Sequence, residues 1–190
     1  MAIEISIELS DQDIEHFAAM ARAVQQAFQG ARIDEKSIIN ATNQLLEKAS
    51  AQENLPKYIA ARLTTLQILV NMIQDKDWEL PDEDRKRILS AIAYFEHPED
   101  LIPDRIPGIG FLDDAIMIDL IEREMEPEIS TYREFCQYRI AEQQRRKNLD
   151  MNREVKIEDW LADKRATLHS RMRKRRQQSM AAGRTRIYLW

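Results

Sequence analysis

Two stretches of this sequence carry residue types that could do chemistry. The first is YFEHPEDLIPDRIPGIGFLDDA, from Tyr94 to Ala115, in which Asp100, Asp104, Asp113 and Asp114 flank three prolines and two glycines. Carboxylate oxygens are hard donors of the kind Mg²⁺ and Ca²⁺ select, and a loop stiffened by Pro98, Pro103 and Pro107 could hold four of them around one ion. The same residues have a structural use. Aspartates beside proline and glycine bond backbone amides in turns, with Asp113 placed to be the N-cap of a helix beginning at Asp114. EF-hand spacing is absent, turn chemistry is the commoner use of such residues, and both readings stay open.

The second stretch is RMRKRR, formed by Arg171, Met172, Arg173, Lys174, Arg175 and Arg176 and continued by Arg184 and Arg186. It belongs to a marked sorting of charge. Residues 1–132 hold 12 Lys+Arg against 26 Asp+Glu, whereas residues 133–190 hold 16 against 7, so an acidic body of −14 precedes a basic end of +9. A dense cationic run binds phosphate by counterion release without reading sequence, and Tyr188 and Trp190 could stack on unpaired bases. The expected partner is an anionic macromolecule, RNA or a ribonucleoprotein before duplex DNA. The competing expectation is that the run folds back onto its own acidic body.

Other chemistry has no visible seat. His16, His97 and His169 are far apart in sequence, and no HExxH, paired CxxC, GxSxG or Gly-Lys-Ser/Thr loop occurs. GIG at 108–110 lacks the third glycine of a dinucleotide fingerprint. Cys136, beside Phe135, reads as a small core residue rather than a nucleophile. A non-enzymatic interaction or adaptor protein is therefore expected, with no cofactor beyond a possible Mg²⁺ or Ca²⁺ in the acidic loop. With one cysteine, no apolar run of spanning length and an acidic start, it is expected in the cytoplasm.

The elements that must position these groups are helical. Only 4 Gly, 6 Pro and 7% aromatics against 32% charged residues describe an all-α chain. Apolar residues recur every three or four positions after Ser10 as far as Gly30, from Asp34 to Ala49, from Pro56 to Ile73, and from Asp82 through Phe95. Beyond the loop, helices are expected over Ala115–Met125, from Ile129 to about Lys147, and from Lys156 onward. Apolar spacing stops after Met172, so the last helix is expected to run past the body into solvent. The fold class is a compact bundle of about six or seven helices, crossed by a proline-rich helix-loop-helix. It divides into residues 1–80, 81–126 and 127–190 around one core. Period-two alternation at Met1–Leu9 and Arg186–Trp190 suggests short terminal strands, through which two copies could pair as a homo-oligomer.

The loop also resembles a known family. Tyr94, Pro98, Asp100, Leu101, Ile102, Pro103, Asp104, Pro107, Gly110, Phe111, Asp113, Asp114 and Ala115 follow, in order, the pattern of the YkvA-like bacterial domain of unknown function. The resemblance covers about 85–123, and it implies a helical module without an established activity. Glu99 and Arg105 stand where relatives carry apolar residues, so the membrane association suggested for some relatives is not expected to transfer.

Overall fold

In the computed structural model, residues 8–28, 34–52, 54–96, 102, 104–106, 109–148 and 157–181 are described. Seven α-helices follow in chain order: α1 Asp11–Phe28, α2 Glu35–Ser50, α3 Lys57–Gln74, α4 Asp82–Ile92, α5 Leu112–Glu124, α6 Glu126–Asn148 and α7 Ile157–Ala181. A 3-10 turn, Ala93–Glu96, extends α4. There is no strand among the described residues, and the expected all-α bundle is what forms. The suggested terminal strands, Met1–Leu9 and Arg186–Trp190, lie outside the described residues, apart from Glu8 and Leu9, which have no regular structure.

Local chemistry sets most helix starts. Ser10 caps α1 reciprocally with Asp13, whose Oδ2 accepts from the Ser10 amide at 2.8 Å and from its hydroxyl at 2.7 Å. Asp34 caps α2 through Oδ1, accepting from the amides of Lys36 and Ser37. Pro56 and Pro81 precede α3 and α4, supplying fixed φ and no orphan amide of their own. Asp82, Glu83 and Asp84 occupy the first turn of α4, where the helix dipole favours negative charge.

Two starts differ from expectation. The fifth helix begins at Leu112 with Phe111 at its cap, so Asp113 lies inside the first turn and is not the N-cap. The sixth begins at Glu126, with only Met125 between it and α5, because the Met125 and Ile129 amides continue helical bonding to Ile121 and Met125 across the corner.

Every residue of α5 from Asp113 to Ile121 is buried, which makes it the central element. It packs on α3 and α6, while α1 and α2 close over α4 and its 3-10 extension, and α7 lies along α6. One continuous apolar cluster runs from Phe17 in α1 to Met172 in α7.

Trp78 joins the two ends of the bundle. It sits in the turn between α3 and α4, is 0% exposed, and its ring centroid lies 4.9 Å from Phe135, 5.7 Å from Tyr132 and 4.3 Å from His169. The turn is shaped by Glu79 at φ 45°, a left-handed position that sends the chain back towards Pro81 once the indole is buried. Trp78→Ala should remove the pad on which α6 and α7 meet, at a cost of about 3–5 kcal/mol read by chemical denaturation. Loss of less than about 1 kcal/mol would show that the cluster closes without the indole.

Candidate functional site

A helix advances 100° per residue, so Arg165, Leu168, Met172 and Arg176 lie on one side of α7. Leu168 and Met172 are fully buried on the body, and Arg176, one turn further on, must follow them inward. Its Nη1 bonds Asp84 Oδ1 and lies 3.2 Å from Glu128 Oε1. Glu128 is 0% exposed and Asp84 2%, so neither charge has water to stabilise it. Glu128 Oε1 accepts a second bond from Arg87 Nη1 at 2.9 Å, and Arg87 Nη2 lies 3.6 Å from Glu124. One chain of alternating charges thus ties α7, α4, α5 and α6. Burial pushes the Glu128 carboxyl above the usual range, even though Arg87 and Arg176 pull it down.

The expectation that α7 leaves the body after Met172 is therefore corrected by one turn: Arg176 is docked, and residues 177–181 beyond it are exposed as the helix continues. That expectation rests on apolar spacing alone, whereas the stripe continues for one more turn as a cation facing buried carboxylates. Arg171 is also held, bonding both oxygens of Glu134 at 3.0 and 2.8 Å, and Lys164 shares that carboxylate at 3.2 Å. Burial opposes ionisation of Glu134, yet these bonds prevail and hold it below the ordinary value. Arg165 donates to the Asp77 carbonyl at 2.9 Å and pairs with Glu79 at 2.9 Å.

The rest of the run faces outward. Arg173, Lys174 and Arg175 are exposed; Arg175 donates to Ser130 Oγ at 3.3 Å, and neither Arg173 nor Lys174 has an ion pair among the described residues. Arg184 and Arg186 lie outside the described residues.

The acidic loop is arranged as follows. Asp113, 3% exposed, accepts from the Ile102 amide through Oδ2 at 3.0 Å, while its Oδ1 is buried without a hydrogen bond. Asp104 pairs with Lys48 at 3.4 Å, and its carbonyl accepts from Gln52 Nε2 at 2.7 Å. Asp114 is buried in the first turn of α5. Asp100 and His97 lie outside the described residues. Gly110 closes the turn by donating to the Ile106 carbonyl at 2.9 Å, and a Cβ there would stand 2.3 Å from the Asp104 carbonyl oxygen. Among the described residues no group of three or more His, Cys, Asp and Glu is placed to hold a metal ion. Asp113 thus bonds an amide of the loop and Asp104 a lysine of α2, with Asp104 Oδ1 also buried without a hydrogen bond.

A groove of about 540 Å³ between α3 and α6 gave no signal in the sequence. At its floor Asp75 accepts from Tyr132 and from Arg139, each at 2.9 Å, and half-buried Cys136 lies alongside. Burial opposes the charge on Asp75, but these two bonds outweigh it and keep the carboxyl below the ordinary range. Burial raises the Cys136 thiol, so it stays protonated and unreactive near neutrality. Asp75, Tyr132 and Arg139 satisfy one another.

The docking partners of the arm were missed for a physical reason. Glu128 falls on the inward stripe Met125, Glu128, Thr131, Phe135, where a carboxylate among core positions signals a buried cation partner. Its partner Arg176 lies 48 residues away, which no local pattern reveals. Arg176→Ala should cost about 3 kcal/mol, the lower end for breaking a buried pair because Arg87 remains. In a double-mutant cycle with Glu128→Gln, the two losses should be clearly less than additive in urea melts; strict additivity would mean the charges are not coupled.

Residues 85–120, from Arg85 in α4 to Leu120 in α5, match the family described as protein of unknown function (DUF1232). Uncharacterized membrane protein YkvA of Bacillus subtilis (strain 168) is 38% identical over 63 residues, which is 30% of this chain and 59% of that relative. The chain thus spans about three-fifths of the length of the curated relative it matches. No solved structure matches. No described helix is long and apolar enough to cross a membrane. The loop and the helices on either side of it, set within a larger helical bundle, are thus similar to the YkvA-like domain of unknown function.

Proposed function

We propose that this chain is a non-enzymatic, cytoplasmic interaction protein whose last helix offers Arg173, Lys174 and Arg175 to an anionic macromolecule, RNA before duplex DNA. The observation that carries the reading is the division of the basic run. Arg171 and Arg176 are spent on the body's own carboxylates, and the three cations between them face water on a helix that those two hold in place. A fixed strip of charge loses little entropy on meeting phosphate. Its small size suits a flexible single strand that can bring phosphates to it.

With three phosphate contacts, affinity should fall about 20-fold between roughly 50 and 200 mM salt, which makes the salt slope a direct count of the contacts. Replacing Arg173, Lys174 and Arg175 with Ala should reduce that slope by about two and weaken retention on single-stranded RNA. Retention with an unchanged slope would remove the arm from the reading.

A second reading follows from the loop. Ile106 and Ile109 are 36% and 41% exposed beside exposed Arg105, within the family-matched residues 85–120, and a relative of the chain is named a membrane protein. Two apolar side chains on a turn closed by Gly110, with a cation next to them, suit shallow contact with an anionic bilayer surface. Ile106→Asp with Ile109→Asp should abolish co-sedimentation with phosphatidylserine vesicles while leaving RNA retention intact. Absence of co-sedimentation by the unaltered protein would dismiss this reading.

A further inference from the structure

His169 lies on the buried side of α7, directly under the helix that carries the exposed strip. It is 9% exposed, its ring stands edge-on to Trp78 at 4.3 Å, and its Nε2 is buried without a hydrogen bond. A neutral imidazole fits such a place; an imidazolium, with a second N–H to satisfy and no carboxylate bonded to it, does not. The charged groups that face it are Arg165 and Arg173 from its own helix, Glu79 from the turn after α3, and Asp84 from α4. From α6 come Tyr132 and Phe135, which stack on Trp78. Asp84 is already engaged by Arg176 and Glu79 by Arg165, so neither is free to receive the new charge.

We infer that His169 is an acid-sensitive latch, which holds α7 on the body while neutral and loosens it when protonated. The inference deepens the anion-binding reading and rests on it for its consequence. Loosening would return Arg171 and Arg176 to Arg173, Lys174 and Arg175, turning a strip of three cations into a run of five. Anion binding by the arm is then tuned by proton concentration.

The direction follows from linkage. Burial first, and then Arg173, hold the imidazole of docked His169 below its ordinary value near 6.5, whereas in the loosened helix it returns to that value. Below 6.5 the loosened form binds the extra proton, so the docked form loses stability as pH falls, by about tenfold in the opening equilibrium for each pH unit until the docked imidazole itself titrates. Glu128, whose carboxyl burial raises while Arg87 and Arg176 pull it down, is a second titratable group under α7. Comparison with a variant lacking only the imidazole subtracts that contribution.

The test measures α7 without any partner. Hydrogen exchange of the amides from Leu161 to Arg176 is followed from about pH 7.5 to about pH 5, in the full chain and in His169→Phe, with His169→Gln as a second non-titrating variant should the larger ring not fit. Trp78 emission in a Trp160→Phe, Trp190→Phe background gives an independent readout. The latch requires that opening rise about tenfold per pH unit below about 6.5 in the wild type and stay flatter in the variants. Equal profiles in wild type and variant would overturn it. RNA retention of the arm variant is a separate measurement, so failure of the anion reading would leave the exchange result standing and failure of the latch would leave the anion reading intact.

Discussion

Two carboxylates that water cannot reach, Glu128 and Asp84, dictate how the C-terminal half of this molecule is arranged. An ion taken out of water recovers its lost hydration only from close partners of opposite sign, and the requirement is met here by Arg87 and Arg176 together. Arg87 is local, one turn beyond Asp84 on α4. Arg176 is remote, and bringing it into place lays the whole of α7 along α6. The buried Leu168 and Met172 and the contact between His169 and Trp78 fit that placement. Apolar burial gives the pairing of α6 and α7 its strength, and the ions give it its register.

The rest of the bundle is organised around α5, and charge again sets the details. Arg62 of α3 reaches Asp119 at 2.5 Å and Glu122 at 2.8 Å, fixing the rotation of α5 against its neighbour. At the other end of α5, Asp113 anchors the incoming loop through the Ile102 amide, and the close approach of Gly110 to the Asp104 carbonyl leaves no room for a side chain. Asp104 reaches Lys48 on the other side of the loop, while Asp104 Oδ1 and Asp113 Oδ1 are buried without a hydrogen bond.

Much of the fold was legible because helix capping and apolar spacing are local. Ser10, Asp34, Pro56 and Asp82 mark starts that the structure keeps within a residue or two, and the stripe Ile59, Leu63, Leu66, Leu69, Val70 and Ile73 is the buried face of α3. The misread boundaries have a common cause. Asp113 resembles a cap because aspartate caps helices, but here its side chain is used across the loop and the helix starts two residues earlier, at Leu112. Apolar spacing on α7 ends at Met172, but Arg176 extends the buried stripe with a charge whose partners are 48 and 92 residues distant in sequence. Sequence also joined all five cations of the run into one arm. Helical periodicity divides them, sending Arg176 inward and leaving Arg173, Lys174 and Arg175 outside.

The all-round burial of α5 bears on how such a segment can travel between proteins. Residues 85–120 comprise most of α4, the loop and most of α5, yet the surfaces that enclose them come from α3, α6 and the chain before α4. A central rod with no water-facing side is no self-sufficient cassette; transplanted alone, it would display a greasy cylinder on every flank. Each recipient chain has to supply its own sheath, whether of flanking helices or of some other apolar cover, so kinship in this short stretch leaves the outer surface, and with it the choice of partner, free to diverge.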